Sequence, residues 1–523
     1  MNILSIKSMA YVFIAILFYL VLNKKYKPFL LLIISLAFYY KSSGNNILFL
    51  LVTSISIYIS SIYLSKIDEK YKRILDEADA SKKREIRDKK TKIKKVIVAL
   101  VVILNLSSLF YFKYTNALII ALNKFFIGQK VGFLELALPL GISFYTFQAI
   151  GYLIDVYRGK QEPEKSFFNL LLFLSYFPQV IQGPIARYNE LMPQLKADNR
   201  FNYDRAVSGF LLILWGYFKK LMIAEPLAVI VNTILGDPYT HSGMYIFTGI
   251  FLYAIQIYGD FSGGIDIVSG ISEIMGVKLS RNFERPFFAT SLSDFWRRWH
   301  ITLGSWMRDY VFYPVAFSPA IIKFNKALKK KSKKLAKILP SALASMVVFF
   351  LVGIWHGASL KYIVFGLYNG IIITFSLLME DNYKKICNKI GLDTSKFDWK
   401  VLQIFRTLII VTIGRYFTRA TGFQNAKLLL KQTVKVFNPY ILINGSFFTL
   451  GLSTMKLIVL IFSIFALFSV EIVQESGIDV RQRVVNSNFI FKSMIFIVLI
   501  LAIVVFGYYG EAVDTSNFIY QGF

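Results

Sequence analysis

Apolar runs long enough to enter a bilayer recur from one end of this chain to the other, and they constrain its fold more than any other feature. Backbone polar groups in hydrocarbon find no water, so each run has to satisfy its own hydrogen bonds as a helix. Candidate spans lie near residues 9–22, 29–40, 46–64, 96–112, 136–155, 167–182, 207–223, 244–259, 341–355, 360–379, 402–418, 455–472 and 489–508. The first two are short for a hydrocarbon layer of about 30 Å, which implies tilt or local thinning. The chain's 523 residues would allow several soluble domains, but 55% are hydrophobic and 16% aromatic. The expectation is an all-α integral membrane protein, one multi-pass domain over 1–523. Residues 1–95 supply leading helices and a basic loop, and the functional region falls within 258–380.

The formal charge of +29 is concentrated at Lys66–Lys95 and Lys323–Lys337, with smaller clusters at Lys24–Lys27 and Lys384–Lys389. A nucleic-acid partner would require a basic face on a soluble fold, and none is legible, so none is expected. Basic segments between apolar helices instead follow the positive-inside rule and attract anionic lipid headgroups, making membrane lipid the first partner. With Lys66–Lys95 cytoplasmic, the N-terminus lies outside. Residues 10–22 read as a first membrane helix rather than a cleaved leader, because Asn23–Lys27 follows where small residues would be needed. The single cysteine, Cys387, excludes an intramolecular disulfide and reads as part of a lysine-rich connection.

Regularity breaks down after about residue 223. Tyr258–Gly276 is too glycine-rich and polar for a lipid-facing span, and Arg281–Tyr313 carries Arg, Asp and three Trp. Polar backbone at membrane depth survives only inside protein or around a wet cavity, so 258–320 is expected to be re-entrant and interfacial helices. The Asp260–Gly264 glycines are assigned to tight turning. Ser291 and Asp294 have capping-box spacing, which starts a helix near Leu292. On that helix Trp299, Leu303, Trp306 and Tyr310 share a face, His300 projects beside it, and Gly304 leaves room for the imidazole.

Two of the three histidines, His300 and His356, sit in this apolar setting, where an imidazole needs partners that lipid cannot supply. His356 follows an apolar span and precedes Gly357, and Gly353 and Gly357 would let a ligand approach the backbone. A histidine there suits general-base work, taking a proton from a hydroxyl that attacks an activated acyl carbon. A water-poor pocket would protect the thioester. Two readings stay open for both histidines: chemistry, or interfacial anchoring among belt tryptophans. His241 reads as a loop residue. No local motif supports a metal site, and no GxSxG supports a serine nucleophile, so neither is expected. No internal repeat is evident, which disfavours a transporter built from repeated halves.

FWRRWH (Phe295–His300), RDY (Arg308–Tyr310) and WHG (Trp355–Gly357) together resemble the membrane-bound O-acyltransferases. The bacterial branch that acylates cell-surface polymers, by O-acetyl or D-alanyl transfer, is nearest. The resemblance takes in Pro139–Gly159, Ser175–Tyr188, Tyr258–His300 and the terminal FIYQGF (Phe518–Phe523), and covers roughly 95–523. It implies a ring of about 11–13 membrane helices around a central tunnel. It makes His356 the general base and His300 a second polar position nearer the cytoplasmic mouth. Asp260, Arg297, Trp299, Trp355 and Gln179 become substrate or tunnel residues, and Asp155 and Arg187 match further family positions. No bound cofactor is implied. The donor would be acyl-CoA or an acyl carrier protein, and the acceptor a polysaccharide hydroxyl or an extracytoplasmic relay protein, across the plasma membrane. The chain departs from the branch at Pro319–Lys337, a basic insert that is either a solvated cytoplasmic face or a docking surface for an acidic carrier or the phosphates of CoA. The leading reading is acetyl transfer. D-alanyl transfer to teichoic acid and a proton-coupled transporter are the alternatives.

Overall fold

Residues 6–125, 131–136, 138–237, 239–394 and 396–509 are described by a computed structural model, and they are helices joined by short connections, with no strand among them. FIYQGF falls outside the described residues. Among the described residues eight helical stretches are long and apolar enough to cross a membrane: Lys24–Glu77, which holds two helices around a short turn, Lys83–Lys124, Tyr203–Gly236, Lys333–His356, Leu360–Lys389, Phe397–Arg419, Thr454–Glu475 and Phe489–Phe506. Met9–Val21 adds a shorter apolar helix. This is fewer than the thirteen apolar segments read from sequence, and the shortfall has local causes. Residues 167–182 do not form one span, because Pro178 follows a break at Tyr176 that divides Phe167–Ser175 from Phe177–Gln182. Residues 136–155 become a helix only at Ile142, after Gly141 takes a left-handed turn, and 13 of its 16 residues are buried inside protein.

Contacts divide the chain into two compact units. The first comprises Met1–Phe210 with Val268–Ser280. Its basic segment Lys66–Lys95 is not a loop: the helices Ile47–Glu77 and Lys83–Phe125 carry the lysines on their ends, and only a few residues turn between them. Lys94 of the second helix reaches Asp68 of the first at 2.6 Å, closing the hairpin. A partly buried carboxylate at Glu164 receives Lys196 at 2.7 Å and the Tyr188 hydroxyl, which ties the Tyr188–Lys196 helix to the connection before Phe167–Ser175.

The second unit comprises Leu211–Ile267 with Arg281–Phe523. Its core gathers Ile230, Ile250, Tyr253, Phe295, Trp299, Tyr416 and Leu460, among others, from helices spread over the whole unit. Tyr258–Gly276 was expected to be re-entrant, but Tyr258 to Ile274 is the second half of one continuous 31-residue helix, Met244–Ile274. Its glycines do not turn the chain. A Cβ on Gly263 would stand 2.8 Å from the carbonyl oxygen of Gly216, and one on Gly216 would stand 2.6 Å from that of Gly263. The two backbones therefore approach more closely than any side chain permits, the small-residue packing expected where lipid gives no hydrophobic drive between helices.

That approach brings charges together. A π-helical stretch at Phe218–Ala224 carries Lys219 and Lys220 inward, both buried. Lys220 pairs with Asp260 and with Glu225 at 2.6 Å, and Lys219 pairs with Asp266 at 2.7 Å and bonds the Ser262 hydroxyl at 2.9 Å. Burying such charges is tolerable only because they are paired. The insert Pro319–Lys337 is helical too: Ser318 caps Pro319–Lys329, which buries none of its residues, and Ser332 caps the long helix that begins at Lys333. Cys387 lies buried on the Leu360–Lys389 helix rather than in a connection.

Candidate active site

His356 is the last residue of the Lys333–His356 helix, and Gly357 ends it at φ +153, a conformation glycine adopts without strain. The chain re-enters a helix at Leu360, and the two helices pack face to face. A Cβ on Gly353 would lie 2.5 Å from the Tyr362 carbonyl oxygen, and one on Gly366 would lie 2.2 Å from that of Phe349. Gly353 and Gly357 thus serve helix packing and the turn, correcting the expectation that they admit a ligand. The packing fixes the imidazole: Tyr362 stacks on His356 with ring centroids 5.9 Å apart and Phe365 meets it edge-on at 5.9 Å.

His300 is held by a different device. The helix starts as read, with the Ser291 hydroxyl accepting the Asp294 N–H at 3.1 Å, while the Asp294 carboxylate accepts the Thr290 N–H at 3.2 Å. The helix that follows, however, covers only Leu292–Arg298, and a second begins at Ile301. His300 sits between them in the left-handed region, φ 48. Competing hydrogen bonds break the helix. Phe283 and Trp299 pair as a short antiparallel bridge, Glu284 N–H donates to Arg298 O at 2.9 Å, and Ile301 N–H donates to Asn282 O at 3.0 Å. The Asn282 amide oxygen then accepts the Thr302 N–H at 3.1 Å and the Thr302 hydroxyl at 2.9 Å, and faces His300 Nδ1 at 3.2 Å. An oxygen already accepting two donors takes a third, so Nδ1 carries the proton of the neutral ring and Nε2 is its basic nitrogen. Gly304 does not make room for the ring: a Cβ there would have only Trp296 O within 4 Å, at 3.6 Å.

The two histidines flank one indole. Trp355 lies 6.0 Å from His300 and 4.8 Å from His356, centroid to centroid, and all three side chains are buried. Against His356 a small cavity is lined by Ile257, Trp296, Trp299, His356, Phe365, Arg415 and Thr418. The Trp296 indole N–H donates to Asn369 Oδ1 at 2.9 Å, which fixes one wall. The guanidinium of buried Arg415 stands 4.7 Å above the Trp299 ring, a cation–π contact that fixes another. An imidazole, a cation and aromatic walls at one point can take a proton from a hydroxyl and stabilise charge developing on an attacked carbonyl.

Not every residue singled out in the sequence gathers here. Trp299 lines the cavity and Trp355 separates the histidines. Asp260 is occupied by Lys220, Arg297 is exposed and pairs with Asp294 at 3.4 Å, and Gln179, in the first unit, donates to Pro184 O at 2.7 Å. His241 lies on a connection with its ring against Tyr245. Asn282, Arg415 and the Lys219–Lys220 pair went unread. The lysine pair in an otherwise apolar run was the one signal that could have led to its acids.

Residues 164–417 match the family model for membrane-bound O-acyltransferases. The chain is 32% identical over 372 residues to the peptidoglycan O-acetyltransferase of Helicobacter pylori, covering 65% of each. It is 30% identical over 318 residues to the probable alginate O-acetylase AlgI of Pseudomonas syringae pv. tomato, 60% of this chain and 55% of that one. It is 28% identical over 327 residues to the teichoic acid D-alanyltransferase of Bacillus subtilis, 58% of this chain and 75% of that one. The matches to the alginate O-acetylases span between half and two thirds of those relatives' length.

Proposed function

We propose, from the premise that this chain carries a membrane-bound O-acyltransferase domain at residues 164–417, that it moves an acetyl group from a cytoplasmic thioester to a hydroxyl of an extracytoplasmic polysaccharide. His356 accepts the hydroxyl proton as the oxygen attacks the thioester carbonyl. The thiolate of the donor leaves, and the proton on His356 returns to it or to water. His300, fixed by Asn282 and separated from His356 by Trp355, positions the donor end. The donor is acyl-CoA or a loaded acyl carrier protein, and the acceptor is the polymer itself or an extracytoplasmic protein that relays the group to it. The membrane is the cell membrane.

The observation that carries this reading is the cavity against His356, whose other walls include Trp296, Trp299 and Arg415. A proton relay in a transporter would place acids against the histidines, and no acid is among the described residues lining it. A second reading, D-alanyl transfer, draws support from the 75% of the Bacillus subtilis enzyme that the chain matches. The test is incubation of the purified protein with labelled acetyl-CoA or labelled acyl carrier, scoring label in polymer ester. His356→Ala, inserted and folded as the parent, is expected to lose ester formation to background. Retained acylation would remove His356 from the reaction.

A further inference from the structure

We infer that Glu475 is a positioning residue for His300, because it clamps the short paired turn from which that imidazole projects. This rests on the transferase reading, in which His300 orients the donor end. Among the described residues Arg285, at φ 47, and His300, at φ 48, are the only two besides glycines in the left-handed region. Such a backbone persists only where its surroundings over-determine it. The two residues stand at opposite ends of one ribbon, in which residues 282–285 pair with 298–301 through the Phe283–Trp299 bridge. Asn282 holds the His300 end.

One carboxylate closes the other end. Arg285 Nε donates to Glu475 Oε2 at 2.5 Å, and Arg298 Nη1 stands 3.0 Å from both Glu475 oxygens. Glu475 therefore takes one guanidinium from each arm of the ribbon. Arg298 is held a second time, with Nε 3.2 Å from Asp294 Oδ2. Glu475 is the last residue of the Thr454–Glu475 helix, a position where the helix dipole disfavours a carboxylate and favours cations. Its place there makes sense through the arginines it gathers. An exposed ion pair contributes little alone, but a carboxylate shared by two guanidiniums has a defined geometry. The same helix face continues the grip at three- and four-residue spacing. The Glu471 carboxylate accepts the Tyr258 hydroxyl, and Phe468 meets Phe287 with centroids 5.9 Å apart. Tyr258 in turn meets Phe283 at 5.8 Å and Trp299 at 6.1 Å, both members of the bridge. Without Glu475 the ribbon relaxes toward unstrained backbone, and the imidazole leaves its place against Asn282.

The experiment compares wild type with Glu475→Gln, which keeps the length of the side chain and removes its charge. Two readings are taken on the purified full-length protein. The first is thiol release from acetyl-phosphopantetheine, the arm common to CoA and carrier proteins, with isolated envelope polysaccharide present and the rate split into kcat and KM. The second is nitrogen NMR of isotope-labelled histidine rings, the His300 signals being those lost in His300→Gln. In Glu475→Gln, kcat is expected to fall about tenfold or more with KM unchanged. The Nδ1–H tautomer held against Asn282 is expected to give way to a mixture of both. Glu380→Gln, which breaks the exposed pair with Lys384 at 2.6 Å, should change neither reading. An unchanged His300 spectrum overturns the inference, and so does an unchanged kcat per folded molecule, even where Tm falls. If Glu475→Gln yields no monodisperse protein, Arg298→Gln, which leaves Glu475 its bond to Arg285, decides on the same two readings. If wild type releases no thiol, the transferase reading fails, and the ring spectrum alone decides whether Glu475 places His300.

Discussion

Asn282 shows how much of the site depends on a side chain that performs no chemistry. Its amide oxygen gathers the Thr302 N–H, the Thr302 hydroxyl and His300 Nδ1, all buried, and so fixes the ring's position and its proton. Asn282→Ala leaves a buried N–H without its acceptor, a loss of about 2 kcal/mol. Thermal unfolding in detergent should register that as a lower Tm, and the rate per folded molecule should fall as His300 loses its orientation. Unchanged values on both counts would mean that the bridge at Phe283 and Trp299 holds the turn alone. At this scale the sequence was partly legible. His300 and His356 stood out because imidazoles are costly in apolar surroundings, whereas Asn282 and Arg415 carried no local signal. Each gains its role from a contact with a residue distant in sequence, and an asparagine before an aromatic or an arginine at the end of an apolar helix is ordinary by itself.

At the scale of elements, the glycine pair Gly216 and Gly263 decides whether two long helices can touch. Gly263→Leu would force the backbones apart and separate Lys220 from Asp260, breaking a buried ion pair. The expected outcome is loss of monodisperse protein, or destabilisation of about 3 kcal/mol or more where protein survives. Gly236→Ala, at a position with nothing within 4 Å, serves as the control and should unfold as the parent does. A tolerated Gly263→Leu would show that the crossing can open without cost. This is also where the sequence misled: glycine and polar residues within Tyr258–Gly276 read as broken backbone, yet they belong to an unbroken helix that needs small residues to meet a neighbour and acids to meet its lysines. Composition marks such a stretch as unfit for lipid but does not distinguish a kinked segment from a straight one packed against protein. The helix through Trp299 failed in the opposite sense. Its 3–4 periodicity was sound, and a pairing with residues 282–284 overrode it.

Across the whole molecule, the all-α membrane class followed from apolar runs alone, because bilayer thickness and backbone hydrogen bonding leave little choice. The basic segments are ends of helices, not loops, and this gives the insert at 319–337 a defined surface. Replacing its lysines with glutamine should raise KM for an acidic carrier-bound donor severalfold with kcat unchanged, since charge on a docking rim acts mainly on encounter. Steady-state kinetics over a range of salt concentrations measure this. An unmoved KM would leave the insert with a topological role only.

The helix that begins among these lysines is the one that ends at His356, 24 residues later. At about 1.5 Å per residue a straight rod of that length rises about 36 Å, somewhat more than the hydrocarbon layer. On the transfer proposed above, a donor handed over beside Lys333 would travel that distance to reach His356. An acceptor alcohol arriving from the opposite face would need only a shallow descent, so that bulky polymers could be served without ever being swallowed.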